Sequence, residues 1–265
     1  MSPQTSKELL AQSTIREFMM LAGKDSVGKT SALVSLAWYI EQTEPNAKFY
    51  VIDTENKFKS ALRSFGSDAP KNIIYYKCDD MNAVTTATTD ILAKHKPMDW
   101  CGVESMARIW DRSQDLAYLA TAGVTKVQYL ENRPRQGKGS GPIPTPDDFW
   151  RIAKGAHDGA FIDLFSDCDD LNVVLTTTIA KPPKEGFRES ADKRATRIEL
   201  GIDANLDGAP RVPYYVESLC LLELRNGKVT CRVLRDNLSL HDETRIEFDV
   251  PDKKSFGMEF FSKCR

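Results

Sequence analysis

The chain has 265 residues, 41% of them hydrophobic and 28% charged, with a formal net charge of −2. That balance fits a globular protein able to bury a sizeable core and supplies no global pull toward nucleic acid, so any such contact must be local. The absence of an apolar run approaching a bilayer span, and of a basic-then-apolar N-terminal pattern, makes a cytoplasmic location without membrane contact the expectation. Cys78, Cys101, Cys168, Cys220, Cys231 and Cys264 are scattered with no C-x-x-C pair, which favours reduced thiols over a disulfide frame or a zinc site.

Residues 1–14 are polar and read as an N-terminal tail or a docking segment. Ile15 to Ala22 is short and apolar enough for a buried strand. It leads into Gly23-Lys24-Asp25-Ser26-Val27-Gly28-Lys29-Thr30, which satisfies G-x-x-x-x-G-K-[ST]. Ala32, Leu33, Leu36, Ala37 and Ile40 then recur at helical spacing. A strand, a glycine loop and a helix opening form a polyphosphate cradle. Loop N–H groups turn inward, the helix N-terminus adds partial positive charge, Lys29 reaches the β/γ-phosphates and the Thr30 hydroxyl joins a Mg²⁺ shell. A nucleoside triphosphate is the ligand this predicts.

Lys48 to Asp53 is the next strand, followed by Thr54-Glu55 and a short amphipathic helix through Phe58, Ala61, Leu62 and Phe65. Residues 72–77 form a third strand, and Met81, Val84, Thr88, Ile91, Leu92 and His95 mark one helix face. The strand from Asp99 ends in Glu104-Ser105. An acid at such a tip beside a phosphate loop helps hold Mg²⁺, so Glu104 is the metal candidate, with a solvated strand-end acid as the alternative. Strands alternating with helices predict a mostly parallel twisted sheet covered on both faces.

After a helix over 106–120, residues 131–141 are basic and rich in Gly and Pro, the pattern of a loop. Thr145-Pro146-Asp147-Asp148 has the chemistry of a helix start, with Phe149, Ile152, Ala153, Ala156, Ala160, Leu164 and Phe165 as its buried face. His157, on that helix, reads as structural or surface. Residues 171–178 form a strand ending in Thr176, Thr177 and Thr178. Residues 181–208 then read as a long, charge-mixed loop. Two alternating runs joined by Asn226-Gly227 predict a C-terminal antiparallel hairpin, with one more strand near 245–250.

This order of parts resembles the RecA-like ATPase core: phosphate loop, Asp53-Thr54-Glu55, Glu104-Ser105, basic loop, hydroxyl-ended strand, longer basic loop and hairpin. It is most similar to small RecA-like ATPases of phages that carry an AAA-domain label and include single-strand annealing recombinases. The resemblance covers residues 15–237 and implies an α/β RecA-like P-loop NTPase domain over 15–250, with 251–265 as a tail. It implies ATP and Mg²⁺ as ligands and, for a phage-encoded chain, the host cytoplasm as location.

Carried over by position, Glu55 falls where the family orients the attacking water; an acid favouring the dipole of the following helix is the alternative. Thr177 and Thr178 fall at the γ-phosphate sensor, where the family commonly keeps an amide. Arg235 falls at a cation reaching into a neighbour's nucleotide, and Asn237 where a second cation is expected. Residues 131–141 and 181–197 fall at the loops that bind single-stranded DNA. Their candidate phosphate contacts are Arg133, Arg135, Lys138, Lys181, Lys184, Arg188, Lys193 and Arg194, and Phe187 is a candidate for base stacking. The implied function is an ATPase acting on single-stranded DNA in recombination or strand annealing, assembled as a ring or filament with ATP between subunits. The alternative is a nucleotide-switched regulatory or assembly ATPase that binds a protein partner.

Overall fold

The computed structural model describes residues 16–131, 148–180, 191–208, 212–237 and 246–265. Its centre is a mixed sheet in the order β3-β2-β4-β5-β1-β7-β8-β9. The strands are β1 (Phe18–Gly23), β2 (Phe49–Asp53), β3 (Ile73–Lys77), β4 (Trp100–Glu104), β5 (Asn172–Ala180), β6 (Asn205–Leu206), β7 (Ser218–Arg225), β8 (Lys228–Asp236) and β9 (Glu247–Val250). From β3 through β7 every neighbouring pair is parallel; β8 and β9 continue antiparallel, and β6 pairs antiparallel with the end of β5. The expected α/β architecture, with a mostly parallel sheet and a C-terminal hairpin, is the one observed. The hairpin turns at Asn226 and Gly227, both with left-handed φ (50° and 78°), as an Asn-Gly two-residue turn requires.

Strand β1 explains why its residues form an almost unbroken apolar run. All six are buried, because a central parallel strand has core on both sides. Side-chain alternation sends Phe18, Met20 and Ala22 to one face and Met19 and Leu21 to the other. The first face packs on α3 (Met81–Lys94) and α4 (Met106–Ala122) through Met81, Val84, Ile91, Met106 and Ile109. The second packs on α1 (Lys29–Thr43) and α2 (Phe58–Arg63) through Leu33, Leu36, Ile40 and Phe58. Helix α3 starts where Asp80 accepts the Ala83 N–H at 2.8 Å, an N-cap that satisfies a donor the first turn leaves open.

Three expectations are corrected. The segment beyond residue 250 is structured: after the short α9 (Val212–Tyr215), α10 (Ser255–Cys264) buries Phe256 and Phe260 against α1. Its approach is close enough that the Gly257 N–H donates to Ser35 Oγ at 3.1 Å. Second, residues 181–208 are not irregular throughout, since Ala191–Glu199 form a helix, α8. Ala191, Lys193, Arg194 and Ala195 supply its propensity, and the buried Thr196, with Leu200 just past its end, anchors it to the core.

Third, the helix expected from Thr145 begins at Phe149 as α6 (Phe149–Lys154), with Asp148 at its N-cap in a left-handed conformation and no side-chain cap. Thr145, Pro146 and Asp147 lie outside the described residues. Residues Gly155–Ile162 then widen into a π-helix before α7 (Asp163–Ser166), so the buried face drifts off the α-helical spacing. Phe149, Ala153, Ile162 and Phe165 are buried, and His157 is fully enclosed with its ring edge on Trp110. Helix α5 (Lys126–Glu131) completes this side. Among the described residues no helix is long and apolar enough to cross a membrane.

Candidate functional site

The C-terminal edge of the parallel strands carries a cavity of about 220 Å³ lined by Asp25, Ser26, Gly28, Lys29, Thr30, Ser31, Glu55, Lys57, Glu104, Ser105 and Thr178. The strand order explains the convergence. β1 delivers the loop over residues 23–30, β2 delivers Glu55, β4 delivers Glu104 and Ser105, and β5, between β1 and β4, delivers the threonines. Gly28, with φ 105°, turns the loop into the first turn of α1, a backbone conformation that a Cβ strains.

Lys29 is buried and donates to the carbonyls of Gly23 and Lys24, at 2.8 Å each. Burial lowers its ammonium from the ordinary range, while Glu104 and Asp25 oppose that shift. The cation is thus parked on its own loop, beside the helix N-terminus that would meet an anion.

Glu104 is only 2% exposed. Its carboxyl accepts from Thr30 Oγ1 at 3.0 Å on one oxygen and from Thr176 Oγ1 at 3.1 Å on the other. Burial pushes it up to about 7; the two hydroxyls pull it down, Glu55 raises it further, and Lys29 opposes. Thr30 and Glu104 offer hard oxygen donors, and a half-ionised buried carboxyl is relieved by a cation. The pair therefore fits Mg²⁺, with Thr30 and Glu104 as the residues that would hold it.

Glu55 stands across the cavity. Asp53, buried at the end of β2, accepts the N–H groups of Glu55 and Phe58 and the Tyr75 hydroxyl, which sets the turn that presents Glu55. Ser105 Oγ donates to Glu55 Oε1 at 3.0 Å, Lys57 pairs with Oε2, and Arg108 lies 3.8 Å from Oε1. Burial works to raise the Glu55 carboxyl, yet the bonds from Lys57 and Ser105 outweigh it and hold the group below its ordinary value. Glu55 is thus an anion beside a neighbouring carboxyl, Glu104, that is partly protonated near neutrality. Environments that separate two acids in this way suit one to accept a proton and the other to meet a metal.

The threonines divide by strand alternation. Thr176 and Thr178 face the cavity side, Thr176 on Glu104 and Thr178 at 3.5 Å from Asp25 Oδ1. Thr177 points the other way and donates to the Asp207 carbonyl at 2.6 Å, so of the two expected sensors only Thr178 lines the cavity. Thr176, which sequence reasoning left out of the site, is the one touching Glu104. Period-two counting back from Thr178 is the signal that identifies it. Lys57 and Ser105 were likewise unassigned, although each sits next to or near a chosen acid in sequence.

Arg235 is expected to reach a neighbour's nucleotide; within its own chain it lies away from the phosphate loop. It pairs with Leu219 in the β7–β8 ladder, toward the sheet edge opposite the phosphate loop. Its Nη2 donates to the carbonyls of Pro213 and Val216, and its Nη1 lies 3.8 Å from Glu199. The guanidinium is committed inside its own chain, because the strand returns past the loop edge before reaching residue 235. Asn237 similarly bonds Glu217 at 3.1 Å.

Of the basic candidates, Arg133, Arg135, Lys138, Lys181, Lys184 and Arg188, with Phe187, lie outside the described residues. Lys193 and Arg194 are on α8, Arg194 exposed and Lys193 half-buried near Thr196 and Asp207. No protein-family model matches the chain, and no curated protein matches its sequence.

Proposed function

We propose that the chain is an ATP-binding and ATP-hydrolysing protein with a RecA-like phosphate-loop core, acting on single-stranded DNA in recombination or strand annealing. The observation that carries this reading is the convergence of Lys29, Thr30, Glu104, Glu55 and the β5 threonines on one cavity. A strand between the loop strand and the acid-bearing strand supports the RecA-like reading. It brings a polar side chain, Thr178, to the cavity wall beside Asp25 of the phosphate loop.

In this reading Lys29 leaves the Gly23 and Lys24 carbonyls and neutralises the β- and γ-phosphates. Glu55, ionised and oriented by Ser105, accepts a proton from the attacking water as the water oxygen bonds to the γ-phosphorus and the bond to the β,γ-bridging oxygen breaks, releasing ADP and phosphate. Bound Mg²⁺ supplies Lewis-acid neutralisation of the polyphosphate. Thr178, on the cavity wall, would respond to loss of the γ-phosphate. On the reverse face, Thr177 ties the same strand to Asp207 and thus to the segment that follows α8. That path links nucleotide state to the basic residues 181–197, which would grip the DNA backbone. Self-association with ATP at subunit interfaces is part of the proposal.

The test is the ATPase rate with and without single-stranded DNA, together with anisotropy of a labelled strand across a salt series. Stimulated hydrolysis and nucleotide-dependent, steeply salt-sensitive binding are expected. Hydrolysis indifferent to DNA, with assembly on ATP, would favour the second reading, a nucleotide-switched module for a protein partner. That reading draws on exposed apolar side chains at Leu119, Val127, Leu130 and Trp150.

A further inference from the structure

We propose that His95, Cys168 and Asp170 form a binding site for a zinc-class divalent ion, at the sheet edge opposite the phosphate loop. His95 caps the C-terminus of α3, and Cys168 and Asp170 lie in the turn that enters β5. Their ligand atoms come together across 73 residues of chain: His95 Nε2 is 3.4 Å from Cys168 Sγ, and Sγ is 3.4 Å from Asp170 Oδ1.

Those separations match what a tetrahedral ion imposes. Zinc bond lengths of about 2.3 Å to sulfur and about 2.0–2.1 Å to nitrogen or oxygen place such ligand atoms about 3.4–3.6 Å apart. The His95 Nε2 to Asp170 Oδ1 separation of 2.8 Å is the one that must open, by about half an ångström. Asp170 is the half-exposed member, on a surface turn, and it can give by that amount.

The histidine supplies a second, independent argument. Its Nδ1 faces the Leu92 carbonyl at 3.0 Å and the Ile91 carbonyl at 3.3 Å, so Nδ1 carries a hydrogen. Its Nε2 then faces a carboxylate oxygen and a sulfur. With Nδ1 donating to the backbone, Nε2 is the ring atom left to ligate, and it faces the sulfur and the carboxylate that would complete the donor set. A histidine with Nδ1–H on a backbone carbonyl and Nε2 turned to a thiol and a carboxylate has the outer-shell arrangement of a metal ligand.

The donor set selects the ion. A sulfur ligand disfavours Mg²⁺ and Ca²⁺, and a mixed sulfur, nitrogen and oxygen set suits zinc. Thiolate and carboxylate together balance the charge of a divalent ion, and binding releases the Cys168 thiol proton. Arg16 donates to the carbonyls of Cys168 and Phe165, which holds the turn that carries the sulfur. The side chain of His95 is 11% exposed and that of Asp170 is 47% exposed, so the ion enters from the Asp170 side, where water takes a fourth position. The ion would staple the end of α3 to the start of β5, far from the cavity at the other edge.

The experiment uses the tag-free, metal-depleted full chain titrated with Co²⁺ and then Zn²⁺. One equivalent of Co²⁺ should give a tetrahedral visible spectrum with a sulfur-to-cobalt charge-transfer band, displaced by Zn²⁺. The sulfur signature identifies the site, because Cys78, Cys101, Cys220, Cys231 and Cys264 are buried. Cys168→Ser should abolish the band, and His95→Gln, which removes a direct nitrogen ligand, should sharply weaken Co²⁺ and Zn²⁺ binding. Circular dichroism checks that both variants are folded. Should His95→Gln not fold, Asp170→Asn at the exposed position tests the same geometry. Absence of the band in the wild-type chain, or its survival in Cys168→Ser, would overturn the proposal and leave a hydrogen-bonded His95–Asp170 contact.

Discussion

The Thr30 hydroxyl donates to Glu104 Oε1 at 3.0 Å, joining the first turn of α1 to the tip of β4. This bond spans the two elements that a magnesium ion would bridge, and it ties the fold's stability to the ionisation of a single acid.

Glu104 carries a pH-dependent penalty that Glu104→Gln removes. Burial raises the carboxyl from 4.5 to about 7, so below 4.5 both folded and unfolded chains hold the proton. Between those values the unfolded chain has released it and the folded chain has not, so stability falls as pH rises and levels off above 7. The span corresponds to about 3 kcal/mol. Nucleotide-free Glu104→Gln should therefore melt higher than wild type at pH 8 and about equally at pH 4, while its ATPase activity falls. Thermal melts across that pH range check it; an unchanged pH profile would place the penalty on another group.

Lys29→Ala removes the cation that now rests on the Gly23 and Lys24 carbonyls. Hydrolysis should fall by about a hundredfold or more, and ATP should no longer raise the melting temperature. Steady-state phosphate release and thermal shift with ATP–Mg²⁺ read both effects.

Glu55→Gln keeps the shape of the side chain and discards its charge. Nucleotide affinity should persist while turnover drops by about 10²- to 10⁴-fold, the range for a lost general base. Lys57→Met, which removes the strongest influence holding the Glu55 carboxyl down, should move the acid limb of the pH–rate profile upward. Single-turnover kinetics against pH separates the two variants.

Two structural substitutions test the packing behind the site. Arg265 bonds Glu17 and Asp236, whose side chains are 8% and 7% exposed, and also donates to Ser218 Oγ at 2.9 Å. Arg265→Ala removes the cation that both buried acids share and should cost about 3–5 kcal/mol. Gly257→Ala would set a Cβ 2.7 Å from that of Tyr39 and 3.1 Å from the Ser35 carbonyl, costing about 1–3 kcal/mol. Urea unfolding measures each.

What was legible in the sequence was local or periodic. The phosphate loop is contiguous from Gly23 to Thr30, and the acids at 55 and 104 follow apolar strands that announce themselves. The hydroxyl cluster on β5 was visible, but its facing depended on which residue met Glu104, a contact made 72 residues away. Arg235 was assigned by order along the chain, whereas its place at the end of β8 far from the phosphate loop depends on the β7–β8 register. Helix α10 carries Phe256 and Phe260 one turn apart, a short signal whose meaning depends on α1. The His95–Cys168 contact has no local trace, because α3 and the entry to β5 meet only through the sheet.

The seat of α10 on α1 also has a temporal consequence. The Gly257–Ser35 bond closes a separation of 222 residues. At about 5–20 residues per second, the helix that begins with Lys29 waits roughly 10–45 s on the ribosome before the helix that covers its outer face exists. During that interval Leu36, Ile40 and their neighbours lack part of their cover, and aggregation of nascent chains should begin at this face.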